Sequence, residues 1–416
     1  MRQMSYWLHD EADYLAMQWE VRVALGAMEE PDVLILLSGM ERDEGGTQAM
    51  AGRLRQDFPQ GKLLGCMCGE SVVDGQIACD GVVVSFLCFE CSHIRLLSFE
   101  SSKYTSAAAG AALRQELADT PDARAVMLLQ VDISLNLTGF LDEVSQSGKD
   151  IIFFGGISDD GHTGAQGRAF VNDMSLTSGL AAVIFSGRDL HVRAFTSFGW
   201  RPLGRRHAIT ELESPYVIKK LGGRPAAEIY EHYLDIHSGD SFLWDALTFP
   251  ICVERDGKLL ARHPRSIRED GALVFGADFR EGEEVRLAYG DPLGIIRHAR
   301  VLRQGLRDFR PQAVCLVSCV ARWLLLQHDV KYELDACRGL SPSYGFYAYG
   351  EYIREGGEVQ FSNMTLVLAA FREGEPSADE LPEPLPEPVQ LTSQTDIMQH
   401  LVHFINETAG EFEDKK

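Results

Sequence analysis

GCMCGES (residues 65–71) followed by GVVVSFLCFECSHIRLLSFE (81–100), and GGISDDG (155–161) followed by GLAAVIFSGRDLHVRAFTSFG (179–199), are two copies of one pattern. A Gly-rich bend comes first, then two long apolar runs. The second run carries a basic residue and an aromatic, Arg95 and Phe99 in one copy and Arg193 and Phe198 in the other. Short apolar runs bounded by turn residues read as buried strands. The spacing predicts strands over 81–89 and 92–99 joined by a tight turn into a hairpin. The second copy predicts strands over 168–172, 180–186 and 191–198.

Working outward, each copy is preceded by a strand, a helix and a strand. These cover 33–38, 43–57 and 62–66 in the first copy, and 125–131, 136–146 and 151–154 in the second. A helix over 106–117 links the copies. Such a duplication implies a pseudo-twofold domain in which each copy buries the face that the other exposes. A weaker third echo runs through a strand at 313–318, a helix near 322–335 and GFYAYGEYIREGGEVQFSNMTLVLAAF, where Gly350-Glu351 is aligned with Gly69-Glu70.

The expected class is α/β, or α+β: strand–helix–strand–hairpin units forming mixed sheets with helices. The expected division is a helical segment over 1–30, a duplicated domain over 31–208 with copies near 31–120 and 121–208, a helical connector over 209–240 and a second domain over 241–372. Residues 373–388 hold five prolines and six carboxylates and no base, which marks 373–390 as a stiff, extended linker. Residues 391–416 return to helical periodicity through Ile397, Leu401, Phe404 and Ile405. An amphipathic helix after a linker cannot bury its face alone. It docks on the body, on a second subunit in a homodimer, or on a partner.

A net charge of −22 disfavours nucleic acid and anionic membrane surfaces, both of which need clustered Lys and Arg. No apolar run approaches the roughly 18 residues of a membrane helix, and the first residues do not form a secretory signal. Nine cysteines, several inside apolar runs, read as reduced thiols and a cytoplasmic setting.

Chemistry is sparse. The bend around Asp159 and Asp160 offers glycine amides and carboxylates to a ligand, but it has neither a dinucleotide nor a phosphate-loop spacing. Cys66-x-Cys68 and Cys88-x-x-Cys91 fit packed thiols better than a zinc site. His400 and His403 share a helix face; His162 follows the Asp-rich bend; His232 and His237 flank the end of the connector. Glu70 and Glu351 could serve as acid or base, but no nucleophile accompanies them, so no enzyme is expected.

These motifs, taken in order, resemble the FIST family. Gly65-Cys-Met-Cys-Gly69-Glu70, then Gly155, Gly156, Asp160, Gly161 and Asn172, match its N-terminal part. Cys319, Arg322, Gly345-Phe346-Tyr347, Tyr349-Gly350-Glu351 and Asn363-Met364-Thr365 match its C-terminal part. Cys66 and Cys68 stand where Ser or Thr is common, and Trp323 where a small residue is common. The resemblance implies a bacterial sensory module that binds a small ligand such as an amino acid. It would signal to a histidine kinase, a cyclic-di-GMP enzyme or another signalling protein. Under this reading Arg322 holds the ligand's carboxylate, with Glu70, Glu351, Gly155, Gly156, Asp160, Asn172, Tyr349 and Asn363 around it. Some relatives bind haem b and sense nitric oxide; here the axial candidates are His162, His232, His237, His400 and His403.

Overall fold

The computed structural model describes residues 1–40, 46–131, 137–158, 167–239, 242–255, 257–354, 356–377, 400–405 and 407–408. The pattern occurs three times. The first unit comprises β1 (Arg2–Leu8), α1 (Glu11–Gly26), β2 (Asp32–Gly39), α2 (Gly46–Asp57), β3 (Lys62–Met67), the hairpin β4 (Ser71–Val73)–β5 (Gln76–Ala78) and β6 (Val82–Phe89). The second comprises β7 (His93–Glu100), α3 (Ser106–Ala118), β8 (Ala123–Gln130), α4 (Thr138–Val144), β9 (Ile152–Ile157), the hairpin β10 (Ala169–Val171)–β11 (Met174–Leu176) and β12 (Gly179–Ser186).

The third unit opens with β13 (Leu190–Phe198) and is then interrupted by a lobe. The lobe holds β14 (Trp200–Ser214), β15 (Val217–Leu221), β16 (Arg224–Pro225), α5 (Glu228–Leu234), α6 (Phe242–Thr248), β17 (Ile251–Arg255), β18 (Lys258–Arg262), β19 (Pro264–Ile267), β20 (Leu273–Phe275) and β21 (Glu284–Gly290). The unit resumes with α7 (Pro292–Phe309), β22 (Ala313–Cys319), α8 (Val320–Leu326), α9 (Val330–Leu334), β23 (Ser343–Ala348), the hairpin β24 (Glu351–Arg354)–β25 (Gln360–Ser362) and β26 (Thr365–Glu373).

Three six-stranded sheets result: β1-β6-β2-β3-β10-β11, β7-β12-β8-β9-β24-β25 and β13-β26-β22-β23-β4-β5. Each unit keeps four strands and lends its short hairpin to another unit's sheet, in a closed cycle. The symmetry is therefore pseudo-threefold, not the pseudo-twofold expected from two copies. The strand pairs register alike in all three. Leu37 lies opposite Gly65, Leu128 opposite Gly155 and Leu316 opposite Gly345 across parallel pairs. Phe89, Phe154, Phe185 and Phe371 meet at the centre, with ring centroids 5.0–6.2 Å apart. Strands such as Asp32–Gly39 are buried on both faces, which explains their unbroken apolar runs.

Several expectations are corrected. β6 and β7 form no hairpin: β6 pairs with β1 and β2, while β7 pairs with β12 in the next sheet. Their short link turns a corner between sheets, as does the link from β12 to β13. Residues 1–30 are not all helical, because Arg2–Leu8 adds an edge strand to β6 and Asp10 caps α1, accepting from Asp13 N at 3.0 Å. The segment 209–240 holds more strand than helix: Ile209, Leu212, Ile218 and Leu221 sit in the β14–β15 ladder, and among its described residues only Glu228–Leu234 is helical. Gly155 and Gly156 belong to β9 rather than to a bend. Glu351 starts its ladder opposite Gly156, as Ser71 starts opposite Phe346, so its counterpart is Ser71 and not Glu70.

The lobe has its own sheet and core, including Tyr230, Phe249, Phe275 and Phe279. Residues 400–405 and 407–408 are helical and dock on this core: Phe404 is buried in it and Leu401 packs against it. Most of the predicted linker, 378–390, lies outside the described residues.

Candidate functional site

Arg322 is fully buried at the start of α8. Its Nε donates to Glu333 Oε1 at 2.7 Å, its Nη1 to the carbonyls of Ser197 and Met364 at 3.1 and 2.9 Å, and its Nη2 to Ser197 Oγ at 3.2 Å. The guanidinium also lies 5.7 Å from the Trp200 ring. Every donor direction is engaged, so this arginine ties α8, α9 and β13 together, and it lines none of the three cavities below.

Glu351 is fully buried too. Its Oε2 accepts from Thr365 N at 3.0 Å, and the Cys319 thiol lies beside the carboxyl. Burial pushes its pKa well above the ordinary carboxylate value, against the opposing pull of these two groups and Arg322. The folded state thus holds a proton that the unfolded chain releases near pH 4.5. Stability carried by this proton is complete below that pH and falls as pH rises towards the folded value, by about 1.4 kcal/mol per pH unit. Glu351→Gln keeps the shape and removes the titration. Its urea midpoint should match the unchanged protein near pH 4.5 and exceed it at pH 8; equal midpoints at both would show that Glu351 is ionised.

Other motif residues make bonds within the framework. Asn363 Nδ2 donates to the Tyr349 carbonyl at 3.0 Å, and the Glu70 carbonyl accepts from Tyr347 N at 3.0 Å. Asn172, at φ +51°, turns β10 into β11 and exchanges bonds with Leu63. Gly156 packs against Val317 and Ala348. Asp160 and His162 lie outside the described residues. The structure gathers Arg322, Glu351, Tyr349 and Asn363 at one end of the third sheet and leaves Asn172 on the first. None of them lines the three cavities below.

The first cavity, about 280 Å3, lies between the body and the lobe. Its floor is the carboxyl end of the parallel pair β8–β9, at Gln130 and Ile157, where ligands of open α/β sheets usually bind. Thr138 and Tyr352 flank it, and Tyr216, Arg265 and residues 276–278 of the lobe roof it. Tyr352 OH bonds to Gln130 Oε1, and Tyr216 OH lies 3.1 Å from Thr138 Oγ1 across the two bodies. Burial raises the Tyr216 pKa, so it remains a neutral hydroxyl. Arg265 is exposed along the roof, and among the described residues it makes no hydrogen bond or ion pair. A cation, hydroxyls, an amide and the Asp278 carboxylate around a space of this size suit a small polar ligand that carries a carboxylate, such as an amino acid.

The adjoining cavity, about 340 Å3, shares Asp278 and Phe361 with the first. Arg255 Nη1 donates to Asp278 Oδ2 at 3.0 Å, and its Nε and Nη2 hold Glu283 at 2.6 and 3.0 Å. Arg262 lies 3.5 Å from Asp278 Oδ1 and donates to the Phe361 carbonyl at 3.2 Å, joining lobe and body. Burial lowers the Arg262 pKa to about 10. For Asp278 burial acts upward, but Arg262 and Arg255 outweigh it and hold the carboxyl below its ordinary value. This network is structural, and it fixes the wall that carries Arg265.

The third cavity, about 310 Å3, lies on the lobe beside the tail helix and includes His207, His232, Arg205, Arg224 and Glu228. His400 Nδ1 bonds to the Leu234 carbonyl at 2.7 Å, His403 Nε2 to the His232 carbonyl at 3.2 Å, and His237 to Asp235 at 2.9 Å. These histidines fasten the tail and the end of α5. A lining so rich in charge is not the apolar enclosure that haem needs, so this cavity does not fit the group. Among the described residues no three His, Cys, Asp or Glu side chains converge as metal ligands. Cys66, Cys68 and Cys88 are buried thiols, and burial pushes Cys88 up to about 12.

Arg265, Tyr216 and Thr138 are missed by sequence reasoning. The one local signal is the basic run Arg262-His-Pro-Arg265-Ser-Ile-Arg268 in a strongly acidic chain. A FIST N domain model matches residues 33–224, and a FIST C domain model matches residues 226–354. No curated protein matches the chain.

Proposed function

From the premise that the chain belongs to the FIST family of signal-transduction sensory domains, we propose that it is a non-enzymatic sensor of a small anionic ligand, bound between the body and the lobe. The observation that carries this reading is Arg265, a cation with no partner among the described residues, on the wall of a cavity at the carboxyl ends of β8 and β9. An amino acid or a related carboxylate suits the site: its carboxylate meets the guanidinium, and the hydroxyls of Tyr216 and Thr138 take its other polar groups. This moves the anion contact from Arg322 to Arg265.

The same lobe that roofs the cavity also carries the tail helix. A ligand that changes how lobe and body close would bias the tail, and through it a partner such as a histidine kinase or a cyclic-di-GMP enzyme. No helix is long and apolar enough to cross a membrane among the described residues. Free buried thiols suit a reducing compartment.

The test is a thermal-shift screen of the purified protein against amino acids and small carboxylates, followed by calorimetry. Arg265→Ala should weaken the best binder about 10- to 100-fold, the range expected for losing a charge-assisted bond. The midpoint without ligand should hold, because the side chain is exposed. Undiminished binding by Arg265→Ala would remove the cavity from the reading.

A further inference from the structure

α1 is apolar on both sides. Tyr14, Met17, Val21 and Ala24 face the core. Leu15, Trp19 and Val23 face outward and are 50%, 68% and 55% exposed. Their i, i+4, i+8 spacing makes them one continuous ridge on the helix. The pseudo-threefold body supplies an internal control, because α3 and α7 stand at the same place in the other units. α3 exposes Arg114 and Gln115 and no large apolar side chain. α7 has Leu293 and Val301 at the ends of the same kind of ridge, but Arg297 in the middle. The fold therefore does not require an apolar outer face at this position, and a tryptophan at its centre is the residue type that anchors interfaces.

The rim gives the sign of the partner. Asp10, Glu20, Glu29 and Glu30 are exposed around the ridge. Two of the nearby arginines are already matched, Arg53 with Glu11 at 2.6 Å and Arg22 with Asp57 at 3.3 Å, which leaves Arg2 against four carboxylates. A second copy packed antiparallel would set Asp10 against Glu29 and Glu30, and like charges oppose this. We propose that the Leu15–Trp19–Val23 ridge is the docking surface for a basic amphipathic helix of a partner protein. Interdigitated i±4 ridges would cross at about −50°. The basic flanks of the incoming helix would meet Glu20 and the acidic ends of α1. This surface is separate from the ligand cavity and does not depend on it.

The test uses the full chain and a synthetic amphipathic helix of leucine and lysine, followed by fluorescence anisotropy. Binding should weaken about tenfold or more in Trp19→Ser and in the Leu15→Ser/Val23→Ser double variant, the scale of a hot-spot truncation. It should also weaken with added salt. Thermal unfolding should not move in either variant, since these side chains are exposed. Equal binding by wild type and Trp19→Ser would mean general attraction to an acidic protein and would overturn the proposal, as would no binding at all. A wild-type dimer in sedimentation that Trp19→Ser dissociates would assign the ridge to a second copy and overturn it as well.

Discussion

Replacing Arg322 with leucine is expected to lower the stability of the protein by about 3–5 kcal/mol, the usual effect of removing one partner of a buried ion pair. Glu333 would be left fully buried with a charge and no cation. The carbonyls of Ser197 and Met364 would lose their donor as well. Adding Glu333→Leu should recover much of the loss, since an apolar pair of similar volume often replaces a buried ion pair without harm. Urea unfolding of the two single variants and the double variant measures this. If Arg322→Leu kept its midpoint but lost ligand-induced stabilisation, Arg322 would be a ligand contact and the assignment to Arg265 would fail.

The second large effect falls on a glycine. A Cβ on Gly155 would lie 1.9 Å from the Leu128 carbonyl oxygen, and its φ of +139° is strained for any other residue. Gly155→Ala should therefore cost more than about 4 kcal/mol and appear as insoluble or unfolded protein. The pseudo-symmetric positions give a graded series. At Gly345 the nearest atom is the Leu316 carbonyl oxygen at 2.5 Å, and at Gly65 it is the Leu37 side chain at 3.1 Å. Soluble yield and unfolding midpoint should fall in the order Gly65→Ala, Gly345→Ala, Gly155→Ala. Gly222→Ala, with φ +58° and open space around it, should lose only about 1–2 kcal/mol. A flat series would mean that the repeated Leu–Gly pairs do not set the spacing of the parallel strands.

The central strands of the body, such as β2, β6, β8 and β12, were legible because each is a short, doubly buried apolar run with turn residues at its ends. Their partners were not. Neighbouring strands usually pair, and nothing in Glu90-Cys91-Ser92 marks it as a corner between sheets. The third unit was faint because the lobe separates β13 from α7. The register that aligns Glu351 with Ser71 exists only in the ladders. Arg322 resembled an anion site for a sound reason: it is a lone charge among apolar residues. Its neutralising partner stands 11 residues on, on another helix. Arg265 has no meaning within its own strand and acquires one only where lobe meets body.

The exchanged hairpins have a consequence for how this protein can be inherited and handled. The boundary between the two matched segments falls at residue 225, next to the short pair β15–β16. A gene fragment ending there would keep β4–β5 but not β23, on which that hairpin lies. It would also keep β9 without β24, and β13 without β26. These strand edges, together with those of β14 and β15, which lose β21 and β20, would be open to any other chain, the condition that leads to aggregation. The halves are therefore not portable modules to be recombined one at a time. They form one heritable block, and a fusion to an output enzyme has to join outside it.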